Sequence, residues 1–365
     1  MLEVRENVSI MVGGEPWPDW ESLTWTAAIN EAARSLTLDV APDNANLEKI
    51  HAYFSGRAPI VVRSSHVDGA EGDLVFTGKL DSKMPGMTSG RRSFRIAARG
   101  TGAALVDNAA VHSTGRFRSM TPKQIAEALD ETNCRIVADT GAGIVIPRFQ
   151  ITPGETVFAA LERMTRDRRL TLRGEADGAV AITKGATGRR HAGGLIEGRT
   201  LGDSSATHDF SKRHHKYIVR GQSPDGTGAD STEIEEQSED DGVEGPRTRV
   251  LIADKDLQKS DAKEYAQHLR DRAAGNALKA SLEQPGWRDE AGTLWTPGNL
   301  VWVESPWLDV RQDLLIERVS GTQTKSDGNG GGSKASLSLV DPRAYGGKKG
   351  KGNKSGSSWT MSEDE

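Results

Sequence analysis

From Val4 to about Gly100 apolar and polar residues alternate with a period of two. Val8, Ile10 and Val12 alternate with polar neighbours and run into Gly13-Gly14, a pair that admits the positive φ of a tight turn. Leu23 with Trp25, then Leu36, Leu38 and Val40 within Ser35 to Val40, repeat the pattern. Pro59 to Arg63, Leu74 to Lys79 and Phe94 to Ala98 extend it, and turn-forming clusters at Pro42-Asp43-Asn44, Asp68-Gly69 and Pro85-Gly86 punctuate it. Short strands at this spacing predict a β-sandwich or small barrel over residues 1–102.

Near residue 102 helical periodicity enters. Thr121-Pro122-Lys123-Gln124 has the form of a capping box with proline at the first helical position, and Ile125 and Leu129 follow on one face. Thr152-Pro153-Gly154-Glu155 repeats the device ahead of Val157, Leu161 and Met164. Arg135 to Ala138, Ile144 to Ile146, Leu170 to Arg173 and Ala179 to Thr183 read as strands, the last two joined by a hairpin turn at Asp177-Gly178. Residues 103–188 are therefore expected to form a small α+β domain.

Gly185 to Gly202 reads as a connector and Tyr217 to Arg220 as a strand. Residues 228–247 then hold Asp230, Glu233, Glu235, Glu236, Glu239, Asp240, Asp241 and Glu244, with no lysine or arginine among these acids, and the charge density predicts a disordered acidic loop. A helix is expected over 260–275, with Ser260 as N-cap, Gly275 as terminator and a thin stripe of Tyr265, Leu269 and Ala273. Strands resume at Leu278 to Leu282, Leu300 to Val303, Leu314 to Val319 and Ser336 to Val340, the last two separated by a glycine-rich loop, Ser326 to Ser333. This second β-rich domain covers 189–345, and the Gly/Ser/Lys-rich 346–365 reads as a disordered tail.

Only 35% of the 365 residues are hydrophobic and 5% aromatic, with 41 glycines, enough for several small cores rather than one large interior. A net charge of -5 gives no whole-chain basis for binding nucleic acid or an anionic membrane. One cysteine, Cys134, excludes an intramolecular disulfide framework and suits folding in a reducing compartment. No apolar run is long enough for a membrane span, so no membrane insertion is expected, and the N-terminus carries no apolar signal core.

Searches for chemistry return no catalytic, cofactor-binding or metal residues. His208, His214 and His215 lie near Lys212, Arg213 and Lys216, which disfavour a bound cation, and they read as solvated. Cys134 opens a strand and reads as a buried structural thiol. No serine sits in a Gly-x-Ser-x-Gly elbow, Gly141-Ala142-Gly143 lacks a third glycine, and Gly328 to Gly332 lacks the Lys-Ser/Thr pair of a phosphate loop. Paired carboxylates for glycoside cleavage stay open, since such pairs have no fixed spacing. Trp17, Trp20 and Trp25, and again Trp287, Trp295, Trp302 and Trp307, form two clusters, read as barrel anchors before a sugar platform or protein interface.

Some of these strings have a family likeness. Gly286-Trp287-Arg288-Asp289 with Gly292-Thr293-Leu294-Trp295-Thr296-Pro297-Gly298-Asn299-Leu300-Val301-Trp302-Val303 resembles the Mu-like phage baseplate hub proteins, within the wider late control protein D group. Asp313 to Val319 and Leu337 to Pro342 continue the likeness, as do Pro153 to Phe158 with Leu161-Glu162, and Tyr217 to Gln222. Val8 to Val12 with Trp17 to Trp25 agree in general pattern only. The resemblance spans about residues 2–345 and excludes the tail.

It implies an α+β, mainly antiparallel β chain with two tail-tube-like β-barrel domains and a small α+β domain, forming a homotrimeric ring of pseudo-sixfold symmetry. It implies structural work and no enzymatic reaction: joining a sixfold tail tube, or its initiator protein, to a threefold central spike among other baseplate proteins, with transient DNA passage and no specific DNA binding. The implied location is the virion tail baseplate, after assembly in the host cytoplasm. An acidic loop at Glu233 to Glu244 facing the channel would repel passing DNA. The competing readings are a tail-associated enzyme degrading cell-wall polymer and a glycan- or host-binding module built on Trp287 to Trp307.

Overall fold

The computed structural model describes residues 6–40, 47–67, 71–89, 91–139, 143–166, 170–221, 234–253, 259–325 and 332–347. Its first portion follows the period-two pattern: β1 (Asn7–Val12), β2 (Glu15–Pro16), β3 (Trp20–Ala28), β4 (Ser35–Val40), helix α1 (Leu47–Tyr53), β5 (Pro59–Ser65), β6 (Asp73–Thr88) and β7 (Arg91–Gly100). Gly13 and Gly14, at φ 64° and 91°, make the turn between β1 and β2. Every strand pair here is antiparallel, in the order β2-β1-β5-β6-β7-β4-β3. Leu36, Leu38, Val40, Ile60 and Val62 point into a core closed by α1, whose Ile50 and the adjoining Phe54 are buried.

Pro85-Gly86, expected as a turn, lies inside β6, opposite Phe94 and Ser93 of β7. The proline is tolerated because β5 pairs with β6 only as far as Lys79, so its missing N–H removes no ladder bond. The clusters at Pro42-Asp43-Asn44 and Asp68-Gly69 lie outside the described residues, as do the tail and the glycine-rich loop but for their ends.

The second portion holds α2 (Ala103–Asp107), β8 (Arg116–Met120), α3 (Pro122–Leu129), β9 (Ile136–Ala138), β10 (Ile146–Gln150), α4 (Val157–Arg166), β11 (Leu170–Gly174) and β12 (Val180–Lys184). Thr121 caps α3 as expected: its side chain accepts from Gln124 N–H while Gln124 Oε1 accepts from Thr121 N–H. The repeat at 152–155 turns out differently. Glu155 does reach back to Thr152 N–H at 2.6 Å, but Pro153-Gly154 forms a turn, Gly154 at φ 87°, and the helix starts at Val157 with Thr156 Oγ1 accepting from Ala159 N–H. Ile144 and Val145 are exposed, so that strand begins at Ile146.

The third portion contains β13 (Arg190–Ile196), β14 (Ser204–His208), β15 (Lys216–Gly221), β16 (Ile234–Glu239), β17 (Thr248–Ile252), α5 (Lys259–Asn276), β18 (Leu278–Pro285), β19 (Leu300–Ser305), β20 (Val310–Thr324), β21 (Ser333–Val340) and a 3-10 turn at Pro342–Tyr345. Three expectations are corrected here. The presumed connector contributes β13, a parallel partner of β19 with Leu195 buried. The acidic run folds over 234–239 as β16, antiparallel to β15, because Ile234 enters a small core with Val219 while Arg220 and Lys216 face Glu235 and Glu239.

The helix α5 already includes Lys259, so Ser260 sits within its first turn, and it continues through Gly275 to Asn276. Its buried stripe is alanine, Ala262, Ala266 and Ala274, with Tyr265 and Leu269 at the margin. Gly275 serves close approach rather than termination: a Cβ there would stand 2.1 Å from the backbone nitrogen of Ala344.

A single joint unites the first and third portions. The long β20 pairs with β19 and β21 and then, over Arg318 to Thr324, with Ser22 to Ala28 of β3. One 13-stranded sheet therefore runs through both, and one core includes Trp25, Leu38 and Ile96 with Trp287, Val303 and Leu337. The fold is mainly antiparallel β with few helices; the parallel pairs are β9 with β12, β13 with β19 and β15 with β17.

Candidate assembly surfaces

No group of three or more His, Cys, Asp or Glu side chains among the described residues could hold a metal ion. His208 donates to Leu308 O, His214 to Lys212 O and His215 to Val243 O, separate backbone carbonyls that bring no two of these rings to a common partner. Their neighbour Arg213 is buried and grips Asp240 of the acidic run through Nε at 3.0 Å and Nη2 at 2.8 Å. Cys134 is half-buried, its Sγ 3.9 Å from Gly178 O; burial, with Asp130 adding to it, holds the thiol above its usual pKa and so protonated.

The arrangement nearest to acid–base machinery is a pair absent from the sequence-based candidates. His191 Nδ1 lies 2.9 Å from Asp289 Oδ2, and Nε2 accepts from Thr296 N–H at 3.2 Å. With Nε2 accepting, Nδ1 is the ring nitrogen that donates to Asp289. Burial alone would raise the Asp289 pKa, but His191 and the N–H groups of Thr293 and Ala192 outweigh it and hold the carboxyl below the usual range. With the side chains 1% and 3% exposed and Trp295 against the imidazole at 4.6 Å, no substrate reaches the pair. It clamps β13 to the loop before β19. Histidine within a Gly/Arg-rich stretch gave no periodic signal for it.

The Gly286-Trp287-Arg288-Asp289 string proves to be the joint of the molecule. Trp287 packs edge-on to Trp25 at 5.7 Å and donates to Thr322 O at 3.1 Å. Arg288 bonds Glu6 Oε2 at 3.1 Å, Ser64 O at 2.7 Å, Gly292 O at 2.9 Å, and Asp73. Burial would lower its pKa, yet Asp73 and Glu6 carry it above the usual value.

Five of the clustered tryptophans, Trp17, Trp20, Trp25, Trp287 and Trp295, are buried, and Trp302 is half-buried under the Arg190 guanidinium. The sugar-platform reading thereby loses its surface; Trp307 alone of the seven is open, 87% exposed at the β19–β20 turn. Val67, Val106, Val111, Ile144 and Val145 are exposed as well, and two exposed apolar pairs lie on strands, Met84 with Met87 on β6 and Val250 with Ile252 on β17. A small cleft of about 90 Å³ between α4, β11 and α5 is lined by Glu162, Arg166, Thr171, His268, Arg272 and Tyr345.

With surfaces rather than a reaction centre in view, likeness to known proteins becomes informative. The profile of the second domain of the baseplate hub protein gp44-like family matches residues 102–184, the α2-to-β12 portion. The baseplate hub protein gp44 of Escherichia phage Mu is 27% identical over 339 residues, covering 89% of this chain and 86% of its own. The chain is similar to the Mu gp44-like baseplate hub proteins over most of its length. The chain has the fold of the prophage MuSo2 43 kDa tail protein from Shewanella oneidensis, with a TM-score of 0.78 at 22% identity over 93% of this chain and 99% of the other. The fold likeness reaches the E. coli c3393 protein, a type VI secretion component described as similar to T4 tail proteins gp27 and gp5, at TM-score 0.53 and 10% identity over 91% and 76% of the two chains.

Proposed function

We propose that this protein is a phage tail baseplate hub that forms a homotrimeric ring joining the sixfold tail tube to the threefold central spike. Residues 1–102 and 189–345 serve as two tail-tube-like barrels, with the α+β portion 103–188 between them in sequence. Three chains then present six barrels in pseudo-sixfold order around a channel through which DNA passes without specific binding. Assembly takes place in the host cytoplasm, and the work is structural rather than enzymatic.

The observation that carries this reading is the pairing of β3 with β20, which sets two antiparallel portions of one chain side by side in a continuous sheet. A unit with two such portions matches a sixfold neighbour when three copies close a ring. The lean apolar content, 35% of residues, suits subunits whose exposed strips are covered by neighbours. Light scattering should give the mass of three chains, and end-on electron micrographs should show a six-lobed ring. A monomer that clears cell-wall suspensions would overturn the proposal in favour of an enzyme.

A further inference from the structure

Strands β6 and β7 outrun their sheet. The partner of β6 stops at Pro59 opposite Lys79, and the partner of β7 stops at Val40 opposite Phe94. Beyond those points, among the described residues, the two strands pair only with each other, out to Thr88 opposite Arg91. A two-stranded ribbon alone in water is marginally stable, so an extended one gains from a surface to lie on. This ribbon also carries Met84 and Met87, 46% and 81% exposed. From Ser82 to Arg95 its charges are Lys83, Arg91, Arg92 and Arg95, with no acid. Met87 lies opposite Arg92 in the ladder, so an apolar and a cationic side chain share one face near the tip.

A surface of opposite character lies on the β15–β17 sheet. Its inner face packs on α5 through Val219 and Ile234. On its outer face the register lines up Gln237, Ile218 and Val250, flanked by the rows Glu235, Arg220, Ile252 and Glu239, Lys216, Thr248. Val250 and Ile252 are 48% and 72% exposed, and β16 pairs with β15 alone among the described strands. β16 belongs to the run from Asp230 to Glu244, which holds eight acids and no lysine or arginine.

We infer that the β6–β7 ribbon of one copy docks on the outer face of the β15–β17 sheet of a second copy, Met87 against the Ile218–Val250 strip and Lys83 and Arg92 toward Glu235 and Glu239. The inference rests on the ring proposed above and names its contact. One chain carries both complementary surfaces at different places, which makes the contact head-to-tail, the type that closes into a ring under rotation. The partner is a second copy because the cationic ribbon sits on a chain of net charge -5, whose densest acidic stretch is this one. Glu235 and Glu239 thereby face a neighbour's ribbon rather than passing DNA.

The test uses the full chain and measures self-association by sedimentation, with circular dichroism as a check on folding. Lys83→Glu with Arg92→Glu should weaken association about tenfold or more, as should Glu235→Lys with Glu239→Lys. Mixing the two variant proteins should restore it. A Met87→Cys, Val250→Cys protein carrying Cys134→Ser should form disulfide-linked copies on oxidation. Wild-type trimers that persist through both charge reversals overturn this contact and leave the ring standing. A wild-type monomer overturns the ring and the contact together. Intact assembly with slowed genome delivery by the Glu235→Lys, Glu239→Lys variant returns these acids to the channel and also overturns the contact.

Discussion

Arg288 Nε stands 3.1 Å from Glu6 Oε2, and the two side chains, 6% and 1% exposed, are separated by most of the sequence. Around them Ser64 Oγ donates to Glu6 Oε2 at 2.5 Å, Glu6 N–H donates to Ser333 Oγ at 2.8 Å, and Gln323 Nε2 donates to Glu6 O at 2.7 Å. The pair thus ties the start of β1 to β5, β20, β21 and the loop that follows β18. It secures the same first-to-third-portion joint that β3 and β20 make by ladder bonds.

Removing one partner from a buried, hydrogen-bonded ion pair leaves the other charge without compensation, at a cost of about 3–5 kcal/mol. Arg288→Ala should destabilise the chain by that amount in urea unfolding. Arg288→Lys should recover little, because a single ammonium cannot span Glu6, Asp73 and the carbonyls of Ser64 and Gly292 as the guanidinium does. A loss below about 1 kcal/mol for Arg288→Ala would show the joint to be held by the sheet alone.

The depressed Asp289 carboxyl sets a pH dependence. A carboxyl whose pKa is lower in the folded chain stabilises it above the unfolded value, about 3.9, and that stability is lost as pH falls through the lower folded value. The wild-type melting temperature should therefore fall below about pH 4, and Asp289→Asn should be less stable at neutral pH with a shallower decline in the acid range. Identical acid slopes would remove Asp289 from the linkage.

The two threonine-proline strings separate a true cap from its likeness. Thr121→Ala deletes the side-chain acceptor for Gln124 N–H and should cost about 1 kcal/mol. Thr156→Ala, which deletes the acceptor for Ala159 N–H, should cost about the same. Thr152→Ala should stay within about 0.5 kcal/mol, since Glu155 uses the backbone N–H of Thr152 and not its hydroxyl. A larger loss at Thr152 than at Thr156 would reverse the assignment of the cap.

Those strings also mark where reading the chain succeeds and where it stops. Period-two alternation located Ser35 to Val40 because burial alternates with the pleat there, whereas the turn residues Asp177-Gly178 located the hairpin of β11 and β12, whose strands are buried almost throughout. β16 escaped because its acids are offset by arginine and lysine of the preceding strand β15, a cross-strand compensation that composition cannot display. The Gly286-Trp287-Arg288-Asp289 string was visible as a family likeness, but its role as the joint depends on Glu6, Ser64 and Asp73, which no spacing rule connects to it. The Met84 and Met87 ribbon was hidden for a plainer reason: Pro85-Gly86 is turn chemistry, and only the end of β5 at Pro59, opposite Lys79, makes room for it inside a strand.

Gly275 gives the sharpest reversal of a local rule. In an exposed helix, exchanging glycine for alanine gains about 1 kcal/mol. In α5 the added Cβ would meet the Ala344 nitrogen at 2.1 Å and its Cα at 2.6 Å, and a backbone cannot rotate away as a side chain can. Relief requires the Pro342–Tyr345 turn to move off the helix, carrying Tyr345, whose hydroxyl donates to Glu317 Oε1 at 2.6 Å. Gly275→Ala should therefore lower stability by about 1–3 kcal/mol, the cost of overpacking, despite its better helix propensity. Thermal melts of the variant beside Gln267→Ala, a helix substitution with no such contact in view, would check this. A Gly275→Ala protein as stable as wild type would mean the turn yields freely and that α5 is set by the β15–β17 sheet alone.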